Sequence, residues 1–364
     1  MTSLFERVEI GSISLNNRIV MAPMTRSRSS QPGDIPNDLM AEYYRQRATA
    51  GLIISEGVPI SPVARGYSLT PGIYTKQQIA GWKSVTRAVH NEGGKIFAQL
   101  WHVGRRSNQV ISGQQPLAPS AILEPDKVYG PNANGDLTMI PTSLAKAMTE
   151  NDIQQTIKDF VSASKNAIAA GFDGVEIHGA HGYLIDQFFR RYANKRNDQY
   201  GGSIDNRLRF LLELLKAVCN EIGSSKVALR ISPFVTSSHQ IHDSEMNALT
   251  MKLLKALNHY NLAYLHLSEN IGNYQPVDSS LRAQIRHTYK GTLMLAGGLT
   301  QTSANALLND QLIDLFAFGQ AYICNPDLVE RFKNNHPLAR LDDDAHHTFY
   351  GGSEQGYTDY TTVT

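Results

Sequence analysis

The sequence lacks the features typical of disulfide-bonded, metal-binding and nucleic-acid-binding proteins. Its 364 residues include only two cysteines, Cys219 and Cys324, which are far apart and form no C-x-x-C pair. This argues against a disulfide framework and against a zinc or iron–sulfur site. Lysine and arginine together number 34 and aspartate and glutamate 33, so the formal charge is only +1. Such a balance gives no electrostatic reason to expect nucleic acid or an anionic membrane as a partner.

Long apolar runs are missing as well. No stretch approaches the roughly 18 apolar residues that a membrane-spanning helix needs. The N-terminal segment MTSLFERVEI carries charges where a signal peptide requires an apolar run. We therefore expect a cytoplasmic protein.

What the sequence does contain is a repeated unit, in which a short apolar run is followed by a loop and then by a segment with helical periodicity. Several of the runs are apolar at consecutive positions, as in parallel strands that are buried on both faces. The eight predicted strands are Arg18–Met21, Leu52–Val58, Lys95–Trp101, Gly174–His178, Val227–Ile231, Tyr264–Ser268, Leu293–Ala296 and Leu315–Gly319.

Helical segments are predicted between these strands, at Asp152–Ala170, Asn206–Ile222, Glu245–Tyr260 and Thr300–Asp310. Eight strands that alternate with helices predict an α/β protein, a single (β/α)8 TIM barrel over residues 1–364. The alternative is a doubly wound sheet, but no G-x-G-x-x-G follows the first strand.

Two stretches fall outside the eight units. Residues 107–149, after the third strand, contain five prolines, and an insertion of this length indicates a lid or a segment with its own hairpin. The C-terminal tail, residues 340–364, is the second stretch.

Polar residues and glycines at the carboxyl ends of the strands come first in a search for chemistry, because active sites of such barrels lie there. Glycines follow the seventh and eighth strands, at Gly297, Gly298 and Gly319 with Gln320. They predict a phosphate site in which backbone N–H groups approach an anion closely, although glycines also serve merely to make tight turns.

The fourth strand ends in the sequence HGAHGY, which contains His178, His181 and Tyr183. If the chain turns at Gly179 and Ala180, two imidazoles converge beside one phenol. That set offers two donors for an oxygen that gains negative charge and one weak acid. A metal site is the other functional reading, but no third ligand stands in the segment, and structural histidines are a further alternative.

Arg230 lies inside the fifth strand and would be a buried cation, which requires an anionic or strongly accepting partner. Two partners are open at this point: a core carboxylate, Glu56 or Glu176, or a ligand that carries delocalised negative charge.

Taken together, these motifs resemble the old yellow enzyme family of flavin-dependent ene-reductases, and on the bacterial side the likeness is close to the N-ethylmaleimide and pentaerythritol tetranitrate reductases. It extends over nearly the whole chain and rests on the segments NRIVMAPMT from Asn17, AQLWHVGR from Ala98, GFDGVEIH from Gly171, YGGSIDNR from Tyr200, AFG from Ala317, NPDL from Asn325 and FYGG from Phe349.

The resemblance implies non-covalent FMN and either NADPH or NADH as the reductant. It places the flavin ring among Pro23, Met24, Thr25, Gly57, Gln99 and Arg230, and the phosphate at Gly297, Gly298, Gly319 and Gln320. Arg230 would stabilise the reduced flavin, which favours the ligand over a core carboxylate as its partner. The aromatic residues around the substrate would be Trp101, Tyr67 and Tyr350.

The activity that the resemblance implies is hydride transfer from FMN N5 to the β-carbon of an α,β-unsaturated carbonyl, imide or nitro compound. His178 and His181 would bind the oxygen of this small-molecule substrate, and Tyr183 would protonate the α-carbon. No metal would take part, and we expect a monomer or a small homo-oligomer. A dihydroorotate-type dehydrogenase, a dienoyl-CoA reductase, a metal-dependent hydrolase and a non-enzymatic flavin-binding barrel are the alternatives.

One departure from the family yields a testable prediction. Where relatives commonly have Ala-Phe-Gly-Arg, this chain has Ala317-Phe-Gly-Gln320, so a neutral amide replaces a cation at the predicted phosphate site. We expect purified protein to be partly flavin-free, and Gln320→Arg to tighten FMN binding roughly tenfold because charged hydrogen bonds to phosphate are the stronger kind. Titration of apoprotein with FMN checks this, and an unchanged affinity would contradict it.

Overall fold

The computed structural model describes residues 3–234, 243–269, 277–341 and 345–363. Its strands, in chain order, are β1 (Val8–Ile10), β2 (Ile13–Leu15), β3 (Ile19–Met21), β4 (Leu52–Pro59), β5 (Ile96–Trp101), β6 (Leu117–Ala118), β7 (Lys127–Pro131), β8 (Leu137–Pro141), β9 (Lys146–Ala147), β10 (Gly174–Gly179), β11 (Val227–Ile231), β12 (Leu265–Ser268), β13 (Leu293–Ala296) and β14 (Leu315–Phe318).

The helices are α1 (Asp38–Arg45), α2 (Lys76–Asn91), α3 (Gln109–Ser112), α4 (Glu150–Ala169), α5 (Leu184–Phe189), α6 (Ile204–Ile222), α7 (Met246–Leu257), α8 (Ser279–Thr288), α9 (Gln301–Asn309), α10 (Gln320–Cys324) and α11 (Leu328–Lys333). Short 3-10 turns occur at Pro62–Ala64, Ser224–Lys226 and Ala345–Thr348. No helix in the described ranges is both long and apolar enough to cross a membrane.

Eight of the strands close into a parallel barrel in the order β3, β4, β5, β10, β11, β12, β13 and β14, with β14 paired to β3. This confirms the predicted (β/α)8 barrel and rules out the open doubly wound sheet. Each predicted strand end agrees with the structure to within one residue, because the apolar runs that mark these strands are buried throughout.

Side chains of the barrel strands pack in two directions. One set, with Val20, Phe97 and Met294, fills the interior of the barrel. The other set packs against the surrounding helices. Ile10 and Leu15 of the β1–β2 hairpin join the interior set, and Gly11 lies against the Ser225 carbonyl just before β11. The hairpin therefore closes the amino-terminal end of the barrel and leaves the opposite end for the site.

Local signals explain where the helices begin. Thr149 caps α4 with a reciprocal hydrogen-bonded capping box to Asp152, so the helix begins at Glu150, two residues before the predicted start. It ends at Ala169, just before Gly171, which has a φ of 91°. The helix α7 is shorter than predicted and ends at Leu257.

The insertion at residues 107–149 carries its own β-hairpin, β7–β8, beside the short helix α3 and the β6–β9 pair. The hairpin turns at Asn132, whose Oδ1 accepts the backbone N–H groups of Asn134 and Asp136. The predicted hairpin is thus present, and closure of the insertion over the site as a lid stays a prediction.

Two buried arginines hold the C-terminal tail against the barrel. Arg26 donates hydrogen bonds to the carbonyls of Thr348, Phe349 and Gly356. Arg28 donates to further carbonyls of the same segment and lies over the Tyr357 ring, with Cζ 4.3 Å from the centroid. The tail is therefore fixed close to the mouth of the barrel; its residues 342–344 and 364 lie outside the described part.

Candidate active site

A cavity of about 860 Å³ opens at the carboxyl ends of the barrel strands. All of the predicted site residues except Gly57 and Tyr67 line it. The predicted residues that line the cavity are Pro23, Met24, Thr25, Gln99, Trp101, His178, His181, Tyr183, Arg230, Gly297, Gly298, Gly319, Gln320 and Tyr350. Residues from three strands, from the segments that follow four strands and from the tail thus meet in one space, as expected when the carboxyl ends of the strands lie at one rim.

The two exceptions lie behind Trp101. Gly57 is at a bulge of β4, where a Cβ would come within 2.4 Å of the Trp101 ring. Glycine is therefore needed there for the indole, and a contact between Gly57 and a cofactor stays a prediction. Tyr67 stacks on Trp101 at 5.5 Å between centroids and is hydrogen-bonded to Tyr183.

A tight turn brings His178, His181 and Tyr183 together. His181 has a φ of 59°, a strained conformation for a residue with a side chain, and its backbone N–H is held by the Ser232 hydroxyl at 2.8 Å. The His178 ring lies 5.4 Å from that of His181 and 5.0 Å from that of Tyr183. The expected convergence of two imidazoles and one phenol is therefore present.

Both imidazoles are neutral at physiological pH. Burial, together with the nearby Arg230, lowers the pKa of His178 and of His181 well below the usual range. A neutral imidazole has one N–H donor and one acceptor. His178 Nδ1 accepts the Ala180 backbone N–H at 3.3 Å, which assigns the proton of His178 to Nε2.

Ser268, at the end of β12, performs a role that sequence reasoning missed. Its hydroxyl accepts a hydrogen bond from Arg230 Nη2 at 3.3 Å and lies 2.9 Å from His181 Nε2. Because Arg230 can only donate, the serine proton is free to point to His181 Nε2. This arrangement assigns the His181 proton to Nδ1 and links the arginine to the histidine pair. A polar residue at a strand end was the only available signal.

Tyr183 remains a neutral acid in this environment. Burial raises the pKa of its phenol above the usual value, against the opposing influence of Arg106 and Tyr67. Its ring meets the Trp101 indole edge-on, with centroids 4.9 Å apart. The site therefore presents one protonated phenol beside two neutral donors.

Arg230 makes no ion pair with a described carboxylate. Glu176 is already engaged by Gln99 and His266, each at 2.8 Å, and Glu56 accepts the backbone N–H groups of the segment after β3. The buried Nε of Arg230 has no hydrogen-bond partner among the described residues. A buried cation with an unused donor, facing a cavity, fits a ligand that carries delocalised negative charge.

The opposite end of the cavity is lined by backbone. Gly297 and Gly298 have φ values of 128° and 61°, which favour glycine. A Cβ at Gly319 would meet nothing closer than Met24 Sδ at 3.7 Å, so the protein itself leaves room for a side chain there. A ligand that approaches the backbone explains the glycine better, and exposed N–H groups suit a phosphate. No charged side chain is among the described residues that line this end.

An aromatic layer joins the insertion to the tail. Tyr350 of the tail lies 6.3 Å from Tyr67 and 5.5 Å from Tyr129 of β7, measured between ring centroids. Tyr129 was not anticipated, because nothing in its surroundings distinguishes it from any tyrosine of a hairpin. The insertion thus contributes a side chain to the layer that borders the cavity.

A (β/α)8 barrel whose mouth combines a glycine-lined end, a buried arginine that forms no ion pair with a described carboxylate, and a donor pair beside a phenol has the construction of a flavin oxidoreductase. The model of the NADH:flavin oxidoreductase / NADH oxidase family matches residues 3–339. The chain belongs to this family, the old yellow enzyme family, and is an NAD(P)H-dependent oxidoreductase with FMN as its cofactor.

Relatives cover nearly the whole chain. It is 42% identical to 12-oxophytodienoate reductase 1 of Oryza sativa subsp. japonica, over 97% of this chain and 91% of the relative. It is 40% identical to the flavin oxidoreductase hxnT of Emericella nidulans, over 98% and 97% of the two chains. The structure of morphinone reductase in complex with tetrahydroNAD superposes with a TM-score of 0.94 at 44% identity, covering 100% of this chain and 98% of that one.

The hydrogen bonds of Ser268 with Arg230 and His181 predict that a substitution of this serine lowers the affinity for a phenolic ligand. Ser268→Ala would leave donors of Arg230 and the Nε2 of His181 unsatisfied and release the tautomer of His181. We expect the affinity for a phenolic probe, para-hydroxybenzaldehyde, to fall roughly 5- to 30-fold, or about 1–2 kcal/mol.

The affinity is measured by absorbance titration of the FMN-loaded protein. Ser164→Ala, which removes another buried serine, on α4 and outside the cavity, is the matched control. Equal affinities of the Ser268→Ala variant and the wild type, or an equal loss in the control, would show that Ser268 has no such role.

The predicted effect of Gln320→Arg on FMN binding can be controlled with a second glutamine that lies outside the cavity. Gln284→Arg adds the same charge at an exposed position of α8, away from the cavity lining. Only the substitution at Gln320 should tighten FMN binding.

Proposed function

We propose that this chain is an ene-reductase that reduces the carbon–carbon double bond of α,β-unsaturated aldehydes, ketones, imides and nitroalkenes. The observation that carries this proposal is the convergence of two neutral imidazole donors and one protonated phenol on a single cavity wall. Reduction of an activated double bond needs a polarised oxygen and a proton for the α-carbon, and these groups match both needs.

The residues present fit FMN. Pro23, Met24, Thr25 and Gln99 would surround the ring with Arg230, whose guanidinium would donate to an electron-rich edge. The backbone at Gly297, Gly298 and Gly319, with Gln320, would bind the phosphate. When bound, FMN supplies the hydride that it takes from NADPH or NADH.

His178 and His181 would hold the substrate oxygen. Each has its proton assigned by a neighbour, so each can donate one hydrogen bond without having to rotate or reprotonate. Donors that are fixed before the reaction stabilise the negative charge that develops on the oxygen without reorganisation cost. Since both rings are neutral, the pair does not become charged at moderately acidic pH.

Tyr183 would deliver the proton to the α-carbon. Its ring contacts the rings of Trp101 and His178 and the guanidinium of Arg106, and these contacts would hold the phenol in place beside the substrate. The side chains of Trp101, Tyr67 and Tyr350 would exclude water from the site. They would border both the nicotinamide and the substrate, which would occupy the same space one after the other.

The alternatives find less support. A metal-dependent hydrolase needs a ligand set, and no group of three or more suitable side chains occurs in the described ranges. A dienoyl-CoA reductase would need cysteines for an iron–sulfur cluster, and the sequence has two that are far apart.

Separate measurement of the two half-reactions tests the proposal. In a rapid-mixing experiment, NADPH should bleach the flavin absorption of the loaded protein, and 2-cyclohexenone should restore it. Tyr183→Phe should slow the restoration roughly 100-fold or more, as expected for loss of a general acid, and leave the bleaching rate close to that of the wild type.

Tyr289→Phe removes a buried hydroxyl outside the cavity and is the control. Slower bleaching with normal restoration would exclude Tyr183 as the acid. If none of the enones tested restores the flavin absorption of the wild-type protein, ene-reduction itself is excluded.

A further inference from the structure

Arg106 brings a positive charge close to Tyr183 from outside the cavity lining. Its guanidinium carbon lies 5.3 Å from the centroid of the Tyr183 ring, which is within the range of a cation–π contact. Arg106 follows β5 and is not among the described residues that line the cavity. A cation in this place acts on the phenol without occupying the space of a ligand.

Two contacts fix the position of this guanidinium. Nη1 of Arg106 donates to the His181 backbone carbonyl at 2.8 Å, within the same strained turn that presents the donor pair. Nη2 forms an ion pair with Asp126, which precedes β7 in the insertion. Both side chains of the pair are about three-quarters buried, at 23% exposure each, so solvent screens the charges only in part.

The charges around Tyr183 act in opposite directions. Burial, the largest influence, raises the pKa of the phenol. Arg106 and the hydrogen bond from Tyr67 lower this pKa, and Tyr350 and Asp126 raise it. An isolated phenol in this apolar setting would be a poor acid, because its phenolate would be buried without a counter-charge. Among the described residues, the charge of Arg106 offsets this cost.

We propose that Arg106 stabilises the phenolate that Tyr183 becomes when it gives its proton to the substrate. The inference rests on the proposed function. In the step concerned, the Tyr183 O–H bond breaks and a C–H bond forms at the α-carbon of the anion that hydride addition has produced. The negative charge moves from that anion to the Tyr183 phenolate, whose ring Arg106 faces, and water later restores the proton.

This assignment gives the insertion a part in the chemistry. Asp126 neutralises Arg106 in part and ties it to the β7–β8 hairpin, so the insertion adjusts how strongly the cation acts on the phenol. Arg106 is accordingly a positioning residue that acts through Tyr183, and the contact to the His181 carbonyl joins it to the turn.

The first test compares both half-reactions in the FMN-loaded protein. Arg106→Met should slow restoration of the flavin absorption by 2-cyclohexenone roughly three- to tenfold, as expected for a weaker acid. Bleaching by NADPH should keep its rate. Arg106→Lys, which retains the charge, should recover at least half of the lost rate. Arg45→Met removes an exposed charge far from the cavity and is the control.

A second test distinguishes an effect of the Arg106 charge on Tyr183 from structural support of the turn at His181. In a Tyr183→Phe background, Arg106→Met should cause no further slowing, because the group through which it acts is gone. Asp126→Asn removes the opposing charge and should leave restoration as fast as in the wild type or faster.

The outcomes distinguish the two proposals. If Tyr183→Phe leaves restoration fast, the proposed acid fails and the role of Arg106 fails with it. If Tyr183→Phe is slow but Arg106→Met is normal, or slows both backgrounds equally, only the role of Arg106 is overturned. A loss in Asp126→Asn equal to that in Arg106→Met would also overturn it, since the ion pair rather than the charge would then matter.

Discussion

Arg230 carries its positive charge inside the mouth of the barrel, where no described carboxylate forms an ion pair with it. The consequences extend through the site. Together with burial, the charge keeps both histidines neutral, so each has one proton to donate. Through Ser268 it also orders the hydrogen bonds of His181, and Arg230 itself lines the space that suits a flavin ring. A buried cation that has no anionic partner among the described residues is costly, and an electron-rich cofactor is a partner that would remove this cost.

The fold supplies the convergence that this arrangement needs. Parallel strands bring their carboxyl ends to one rim, so residues that are far apart in sequence, such as Thr25 and Arg230, line a single cavity. Segments outside the repeating units complete it. The tail brings Tyr350, held there by the hydrogen bonds of Arg26 and Arg28, and the insertion brings Tyr129 and Asp126. Side chains at the rim therefore depend on both the barrel and these added segments.

The sequence predicted the barrel, its strand ends and most of the cavity lining, because buried parallel strands leave apolar runs and active residues follow them. It could not predict contacts between distant segments that carry no motif. The Trp101 indole packs against Gly57, and the role of Ser268 depends on two side chains from other segments, those of Arg230 and His181. The pair of Arg106 and Asp126 likewise appears only when the hairpin is folded against the turn.

In the proposed reaction, the hydride comes from the nicotinamide and reaches the β-carbon of the double bond, whereas the proton comes from Tyr183 and reaches the α-carbon. Isotopic labelling tests it most directly. Reduction of 2-cyclohexenone with nicotinamide deuterated at the transferred position should place deuterium on the β-carbon. Reduction with unlabelled nicotinamide in deuterium oxide should place it on the α-carbon, because the Tyr183 hydroxyl exchanges with solvent. Deuterium from the nicotinamide at the α-carbon would contradict the account.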